Sequence, residues 1–161
     1  MQANLPVTIS TNDVIIRLVV AAIAGAAVGL NRNLKGKPAG LRTHALVAMG
    51  SALAIVMSVE AGGIESGNML HVLQGVVSGI GFLGAGVILH GAQEKDVHGL
   101  TTAASLWVVA CIGCAAGAGA WAALTACVGI TLAILILGGP IESFARNFQS
   151  KRGKGTPVQD D

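Results

Sequence analysis

The segment Gly75-Val-Val-Ser-Gly-Ile-Gly-Phe-Leu-Gly-Ala-Gly86 places five glycines in an apolar run that carries no Asp, Glu, Lys or Arg from Met69 to Leu89. Each glycine would destabilise a water-exposed helix by about 1 kcal/mol relative to alanine. In a bilayer, glycine is common because it lets two helix backbones approach closely. The segment therefore predicts a membrane-spanning helix with close-packing faces.

The composition of the whole chain agrees with a membrane protein, because 53% of its 161 residues are hydrophobic and 11% are charged. Crossing the hydrocarbon core takes about 20 helical residues, with about 17 as the lower limit. The apolar runs predict an all-α polytopic bundle of five transmembrane helices, at Val14–Leu30, Leu41–Val59, Met69–Leu89, Leu100–Gly117 and Trp121–Leu137. One domain is expected over residues 1–140, followed by a polar, basic, disordered tail over residues 141–161.

The basic residues predict the orientation of this bundle, because Lys and Arg near helix ends are retained on the cytoplasmic side. With five spans, Arg17 lies on one side and nine basic residues lie on the other: Arg32, Lys35, Lys37, Arg42, Lys95, Arg146, Lys151, Arg152 and Lys154. We therefore expect the N-terminus outside and the tail in the cytoplasm of a bacterial inner membrane. A cleaved signal peptide ending near Ala27 is disfavoured, because no basic residue precedes the first apolar run.

Small residues predict where the helices touch. At about 100° per residue, His71, Gly75, Gly79 and Gly86 share one face of the third helix and Gly81 and Gly84 lie on the opposite face, which predicts that this helix is central. The predicted packing positions are Gly25, Gly29, Gly75, Gly79, Gly81, Gly84, Gly86, Gly113 and Gly117. Such faces serve packing within one chain or a homo-oligomer, and both remain open.

Two motifs are discounted. The segment from Gly79 to Gly84 matches G-x-G-x-x-G, but it lacks the strand and turn that a dinucleotide site needs. Cys111 and Cys114 form C-x-x-C deep inside a predicted span, where packing is favoured over a redox or metal role. No carboxylate lies at mid-membrane depth. We therefore expect no metal, no cofactor, no nucleic-acid partner and no enzymatic activity.

Polar side chains collect at the predicted cytoplasmic boundary, where the second and fourth helices also begin with their positive dipole ends. This predicts an electropositive mouth that suits an anionic lipid, a free phosphate or an acidic membrane-protein partner. Its expected residues are Asn31, Arg32, Arg42, Thr43, His44, Thr101, Thr102 and Ser105. The alternative is that the basic residues only follow the orientation rule and extend to the interface.

A second polar cluster is expected at the outer ends of the first three helices. Asp13 and Arg17 are four residues apart on one helix, a spacing that favours an ion pair. Glu60 and His71 lie near the outer ends of the next two helices. A structural role that neutralises Arg17 is favoured over a role in transport.

Several long segments resemble the MgtC/SapB family of bacterial inner-membrane proteins over about residues 13–138. The matching segments are Arg17-Leu18, Gly29-Leu-Asn-Arg32, Gly36-Lys-Pro-Ala-Gly-Leu-Arg-Thr-His44, Gly75–Gly86 and Gly99-Leu-Thr-Thr-Ala-Ala-Ser-Leu-Trp107. The resemblance implies a five-helix membrane domain linked to growth in low magnesium, acid tolerance and, in pathogens, survival inside host cells. Some relatives are thought to modulate other membrane machinery, including the ATP synthase.

The chain departs from the family pattern at two places. Asn31-Arg32-Asn33 stands where relatives usually have Glu-Arg-Glu, and His71 stands where many have Arg. We expect a short form of the family, without a soluble C-terminal domain. The expected function is non-enzymatic modulation of membrane partners or ion homeostasis, and the alternative is a magnesium or proton transporter or channel.

Overall fold

The structure is a computed structural model that describes residues 9–62, 68–90 and 99–153. Five α-helices make up almost all of this described part: α1 (Thr11–Leu34), α2 (Leu41–Gly62), α3 (Asn68–His90), α4 (Leu100–Gly117) and α5 (Trp121–Gly153). Each contains a stretch long and apolar enough to cross a bilayer. The predicted all-α membrane bundle is confirmed, and the bounds predicted for α4 agree with the structure at both ends. The orientation of the termini stays a prediction.

The last helix differs from the sequence prediction. Its apolar part was expected to end at Leu137, but α5 continues through Pro140 to Gly153. Residues 141–153, which the sequence analysis assigned to a disordered tail, are thus described as part of this helix. Residues 154–161, with Lys154, lie outside the described residues, as does Lys95. Hydropathy marks the part of a helix that crosses the membrane. A polar sequence can continue the same helix beyond the bilayer, and hydropathy alone does not detect that extension.

At the centre of the bundle, α1 and α4 each pack closely against α2, and glycines lie at both contacts. A Cβ built on Gly29 of α1 would lie 2.8 Å from the Gly40 carbonyl oxygen and 2.7 Å from Leu41 Cα. A Cβ on Gly113 of α4 would overlap the carbonyl of Ala48 in α2. Gly25 and Gly117 make similar approaches, to His44 and Ala52 respectively. The α1–α2 and α2–α4 contacts are therefore at backbone distance.

The central helix is α4, not α3. Over half of the α4 span, 56%, is buried, against 11% of the α3 span. Side chains from α1, α2 and α4 form the main core, which contains Ala21, Val28, Ala48, Ala52, Val109, Ile112 and Ala116. The predicted central position of α3 is therefore wrong.

The peripheral helix α3 packs through its large aliphatic residues. Val72, Leu73 and Val76 contact the cluster of Ile55, Val59 and Cys114, and Ile80 is buried further along. A Cβ on Gly75, Gly79, Gly81 or Gly86 would meet nothing within 4 Å, and one on Gly84 would meet only Ala103 Cβ at 3.5 Å. At four of the five predicted α3 packing glycines, the Cβ direction thus points into open space among the described residues. Helical periodicity shows which residues share a face of a helix, but not which face packs against another helix.

Candidate functional site

A chain of buried polar side chains links three helices at the end of the bundle that holds the α1–α2 loop, which we call the basic end. Arg32 on α1 donates from Nη2 to Thr102 Oγ1 on α4 over 2.7 Å. Ser105, one turn further along α4, lies 2.8 Å from the Thr102 carbonyl oxygen and 3.0 Å from His44 Nε2 on α2. None of the four side chains is more than 4% exposed. We call Arg32, Thr102, Ser105 and His44 the polar chain.

The close helix packing explains why these side chains meet. Gly25 and Gly29 bring α1 against the first turns of α2, directly at the His44 and Gly40 backbones. The Gly113 and Gly117 contacts then bring α4 against α2. Because the helices approach at backbone distance, short side chains such as Thr102 and Ser105 can bond across them.

The hydrogen bonds of His44 restrict its tautomer. Nδ1 lies 2.9 Å from the Gly40 carbonyl oxygen. A carbonyl oxygen can only accept, so Nδ1 must carry the hydrogen. In neutral His44, Nε2 then accepts from the Ser105 hydroxyl; in protonated His44 it would donate to Ser105, whose own hydrogen would go to the Thr102 carbonyl. The ring is therefore held at both ends in either protonation state.

The guanidinium of Arg32 is buried and incompletely bonded. Arg32 is 3% exposed, and its Nε has no hydrogen-bond partner among the described residues. The described carboxylates form one ion pair, and that pair does not involve Arg32. A buried charge without a counter-charge is costly, because little water remains to solvate it. The position therefore favours an anionic partner.

A large cavity opens beside Arg32. It has a volume of about 1170 Å³, and Arg32, Lys35, Lys37, Thr43, Thr101 and Thr102 line its polar end. Its remaining walls are mostly apolar, with Phe82, Leu83 and Val87 on α3 and Ile134, Leu135 and Ile136 on α5. Lys35 at the rim also donates from Nζ to the Leu135 carbonyl, which ties the α1–α2 loop to α5.

The other predicted mouth residues divide between two surfaces. Thr43 and Thr101 line the cavity with Arg32. Arg42 is exposed and lines a separate, smaller pocket with Asn33, Gly40, Leu41 and Thr43. Asn31 is half-buried, and its Oδ1 has no hydrogen-bond partner among the described residues. The structure thus brings Arg32, His44, Thr102 and Ser105 together and leaves Arg42 apart from them.

The opposite end of the bundle contains a smaller polar contact. Arg17 Nη2 pairs with Asp13 Oδ2 at 2.8 Å, and Arg17 Nη1 donates to the Gly117 carbonyl at 2.6 Å. Glu60 and His71 are exposed, and neither bonds to Asp13 or Arg17. The four predicted residues are therefore not one bonded cluster. Sequence analysis missed the Gly117 carbonyl as a partner, because a backbone acceptor leaves no sequence signal.

His, Cys, Asp and Glu side chains are the potential metal ligands in the part of the chain that the structure describes. No three His, Cys, Asp or Glu side chains in residues 9–62, 68–90 and 99–153 are close enough together to hold a metal ion. Cys114 instead lies in an apolar cluster with Ile55 and Val59, and Cys127 packs against the main core.

Comparison with known proteins identifies the family. Residues 18–144 match the family model described as "MgtC family". The chain belongs to the MgtC family. Family membership and the five apolar helices make it a multi-pass protein of the bacterial inner membrane. No solved structure matches the chain.

Curated MgtC-family relatives are similar over most of the membrane domain. Protein SrpB of Synechococcus elongatus is 46% identical over 115 residues, covering 65% of this chain and 63% of SrpB. The protein named "Putative magnesium transporter YhiD" of Escherichia coli is 45% identical over 118 residues, covering 68% and 53%. Protein MgtC of Salmonella typhimurium is 42% identical over 124 residues, covering 76% and 52%. The match therefore spans between half and two thirds of each relative.

Proposed function

We propose that this MgtC-family protein is a non-enzymatic membrane regulator, which acts on membrane partners or ion homeostasis through the cavity and polar chain at its basic end. The proposed setting is adaptation to low magnesium, acid stress or survival in a host. The observation that carries the proposal is the burial of Arg32 beside the cavity, bonded to Thr102 and without a carboxylate partner among the described residues. A purely structural position would be filled at lower cost by an apolar side chain.

The interior of the bundle supports regulation over transport. Between the two polar ends, α1, α2 and α4 meet through Ala24, Ala48, Ala52 and Ile112, which are buried and apolar. An ion that passed through this described core would lose its water and gain no oxygen ligand from a side chain. The polar side chains of the basic end instead form one site beside the cavity.

Transport of magnesium or protons is the second candidate function. It is supported by the name of one relative, the Escherichia coli protein called "Putative magnesium transporter YhiD". Because the described core of one bundle is apolar, this candidate places the pathway between copies of the chain in an oligomer. Reconstitution in liposomes tests this candidate, because a selective flux of Mg²⁺ or H⁺ would favour it over regulation.

A complementation experiment tests the regulatory proposal. A bacterial strain that lacks its own MgtC-family protein and grows poorly in low magnesium would express the wild-type chain, Arg32→Gln or Arg42→Gln. Both changes remove one positive charge, but only Arg32 lines the large cavity. We expect Arg42→Gln to restore growth and Arg32→Gln to fail, with equal amounts of protein in the membrane. Equal growth of the two variants would contradict the proposal.

A further inference from the structure

We propose that the cavity between α3 and α5 binds one anionic phospholipid, with its phosphate at Arg32 and its hydrocarbon along the apolar walls. The inference deepens the proposed function, because Arg32 belongs to both. It names the chemical class of the ligand at that site, and its test measures binding instead of growth.

The arrangement of the helices makes the cavity a groove with one polar end. Within the described residues, α3 and α5 each contact α4 but do not contact one another. The side chains that face this gap are apolar and strongly exposed, with Phe82 at 82%, Ile134 at 64% and Ile136 at 53%. The loop that follows α1 closes the polar end with Lys35 and Lys37. The groove thus has the polarity of a lipid, with an anion-binding end and hydrocarbon walls.

Arg32 supplies the observation that points to a ligand at the polar end. Arg32 is 3% exposed and lines the cavity, and its Nε–H donor has no partner among the described residues. A guanidinium has a planar set of donors that matches two oxygens of a phosphate. The first turn of α4 also lines this end, through Gly99, Thr101 and Thr102. The N-terminal end of a helix carries free N–H groups and a positive dipole end, which favour an anion.

The size and the walls of the cavity favour a lipid over inorganic phosphate. Small-molecule sites typically occupy about 300–1,000 Å³, whereas this cavity occupies about 1170 Å³. A phosphate ion would contact only the polar end and would leave Phe82, Ile134 and Ile136 uncovered. Basic residues at the membrane surface also attract anionic lipids. The same phosphate on a lipid uses both parts of the groove.

Two matched pairs of variants separate this site from general lipid contact. Arg32→Gln and Arg42→Gln change the charge equally, but Arg42 lies outside the cavity. Gly86→Leu and Gly79→Leu both add a side chain on α3 at positions where a Cβ meets nothing within 4 Å. Of these two glycines, only Gly86 lines the cavity. Gly86→Leu therefore fills the groove and leaves every polar residue of the site in place, which keeps the test valid if Arg32→Gln does not fold.

Native mass spectrometry of the full chain, purified in mild detergent, tests the inference. Phosphatidylglycerol and phosphatidylethanolamine would be added separately at equal concentration, and inorganic phosphate would be added in a third arm. We expect one tightly retained phosphatidylglycerol, reduced about tenfold by Arg32→Gln and by Gly86→Leu and unchanged in both controls. A tenfold loss corresponds to about 1.4 kcal/mol.

Three outcomes would overturn the inference: equal retention of the two lipids, equal retention in Gly86→Leu and Gly79→Leu, or displacement of the lipid by inorganic phosphate alone. Failure of the inference is distinguishable from failure of the proposed function. If Arg32 is needed for growth but not for lipid retention, the lipid assignment falls and the regulatory site stands. If Gly86→Leu loses the lipid and still supports growth, the lipid assignment stands and that lipid is not required for regulation.

Discussion

Arg32 of α1 and Thr102 of α4 are joined by a buried hydrogen bond of 2.7 Å, which connects two helices 70 residues apart in the sequence. The bond lies at the edge of the cavity, so it both locks the helices together and orients the guanidinium. Among the described residues, the guanidinium bonds to a neutral hydroxyl and to no carboxylate, so its positive charge is available for a ligand. This relationship links the packing of the bundle to its proposed binding site.

Removing the Thr102 hydroxyl should destabilise the protein. Thr102→Val keeps the shape of the side chain but leaves Arg32 Nη2 without its acceptor. Loss of a partner from a buried polar group costs about 1–3 kcal/mol, and more for a charged group. We expect a lower thermal unfolding midpoint in detergent. Thr101→Val is the control, because Thr101 is exposed; an equal loss in both variants would show that the bond is unimportant.

The glycine contact between α2 and α4 should tolerate no added side chain. Gly113→Ala would force a methyl group onto the Ala48 carbonyl. Overpacking in a close-packed interior costs about 1–3 kcal/mol, so the free energy of unfolding should fall by that amount. Gly50→Ala is the matched control, because a Cβ at Gly50 meets nothing within 4 Å. If Gly113→Ala were as stable as Gly50→Ala, the α2–α4 approach would have to be wider than described.

At the opposite end, the backbone contact of Arg17 should matter more than its ion pair. Asp13 is 40% exposed, and an exposed pair at this spacing contributes about 0.3–0.5 kcal/mol. The bond from Arg17 to the Gly117 carbonyl joins α1 to the end of α4. Arg17→Ala should therefore lower the unfolding midpoint clearly, whereas Asp13→Asn should change it little. The reverse order would indicate that the carboxylate holds this end together.

The tautomer of His44 can be observed directly. Nδ1 faces the Gly40 carbonyl oxygen at 2.9 Å, so it must carry a hydrogen while this contact is made. Solid-state ¹⁵N NMR of the protein in lipid bilayers should show a protonated, hydrogen-bonded Nδ1. Ser105→Ala should change the Nε2 signal and leave the Nδ1 signal nearly unchanged. An unprotonated Nδ1 in the wild-type protein would contradict the described contact.

The sequence predicted the helices well because a bilayer imposes one physical requirement, a long apolar segment. The predicted bounds of α4, Leu100 and Gly117, agree with the structure. The predicted end of α5 is too early, because the polar residues that continue this helix carry no hydropathy signal. The arrangement of the helices was less predictable. The sequence predicted glycine faces as the packing surfaces of α3, whereas the protein packs α3 through aliphatic residues such as Val72 and Val76.

The site was predictable as a set of residue types but not as a set of bonds. Arg32, His44, Thr102 and Ser105 were expected at one end of the bundle because their helices begin or end there. Their hydrogen bonds depend on how closely α1, α2 and α4 approach, which a single sequence does not specify. The cavity was also missed, because it arises from the gap between α3 and α5.

The central claim is that the cavity and the polar chain face the cytoplasmic side of the inner membrane. Lys37→Cys and Ala120→Cys, each in a variant with Cys111, Cys114 and Cys127 replaced, place single thiols on exposed residues near opposite ends of the bundle. A membrane-impermeant maleimide applied to spheroplasts should label the residue 120 variant at once and the residue 37 variant only after permeabilisation. Labelling of the residue 37 variant in intact spheroplasts, with protection at residue 120, would contradict the account.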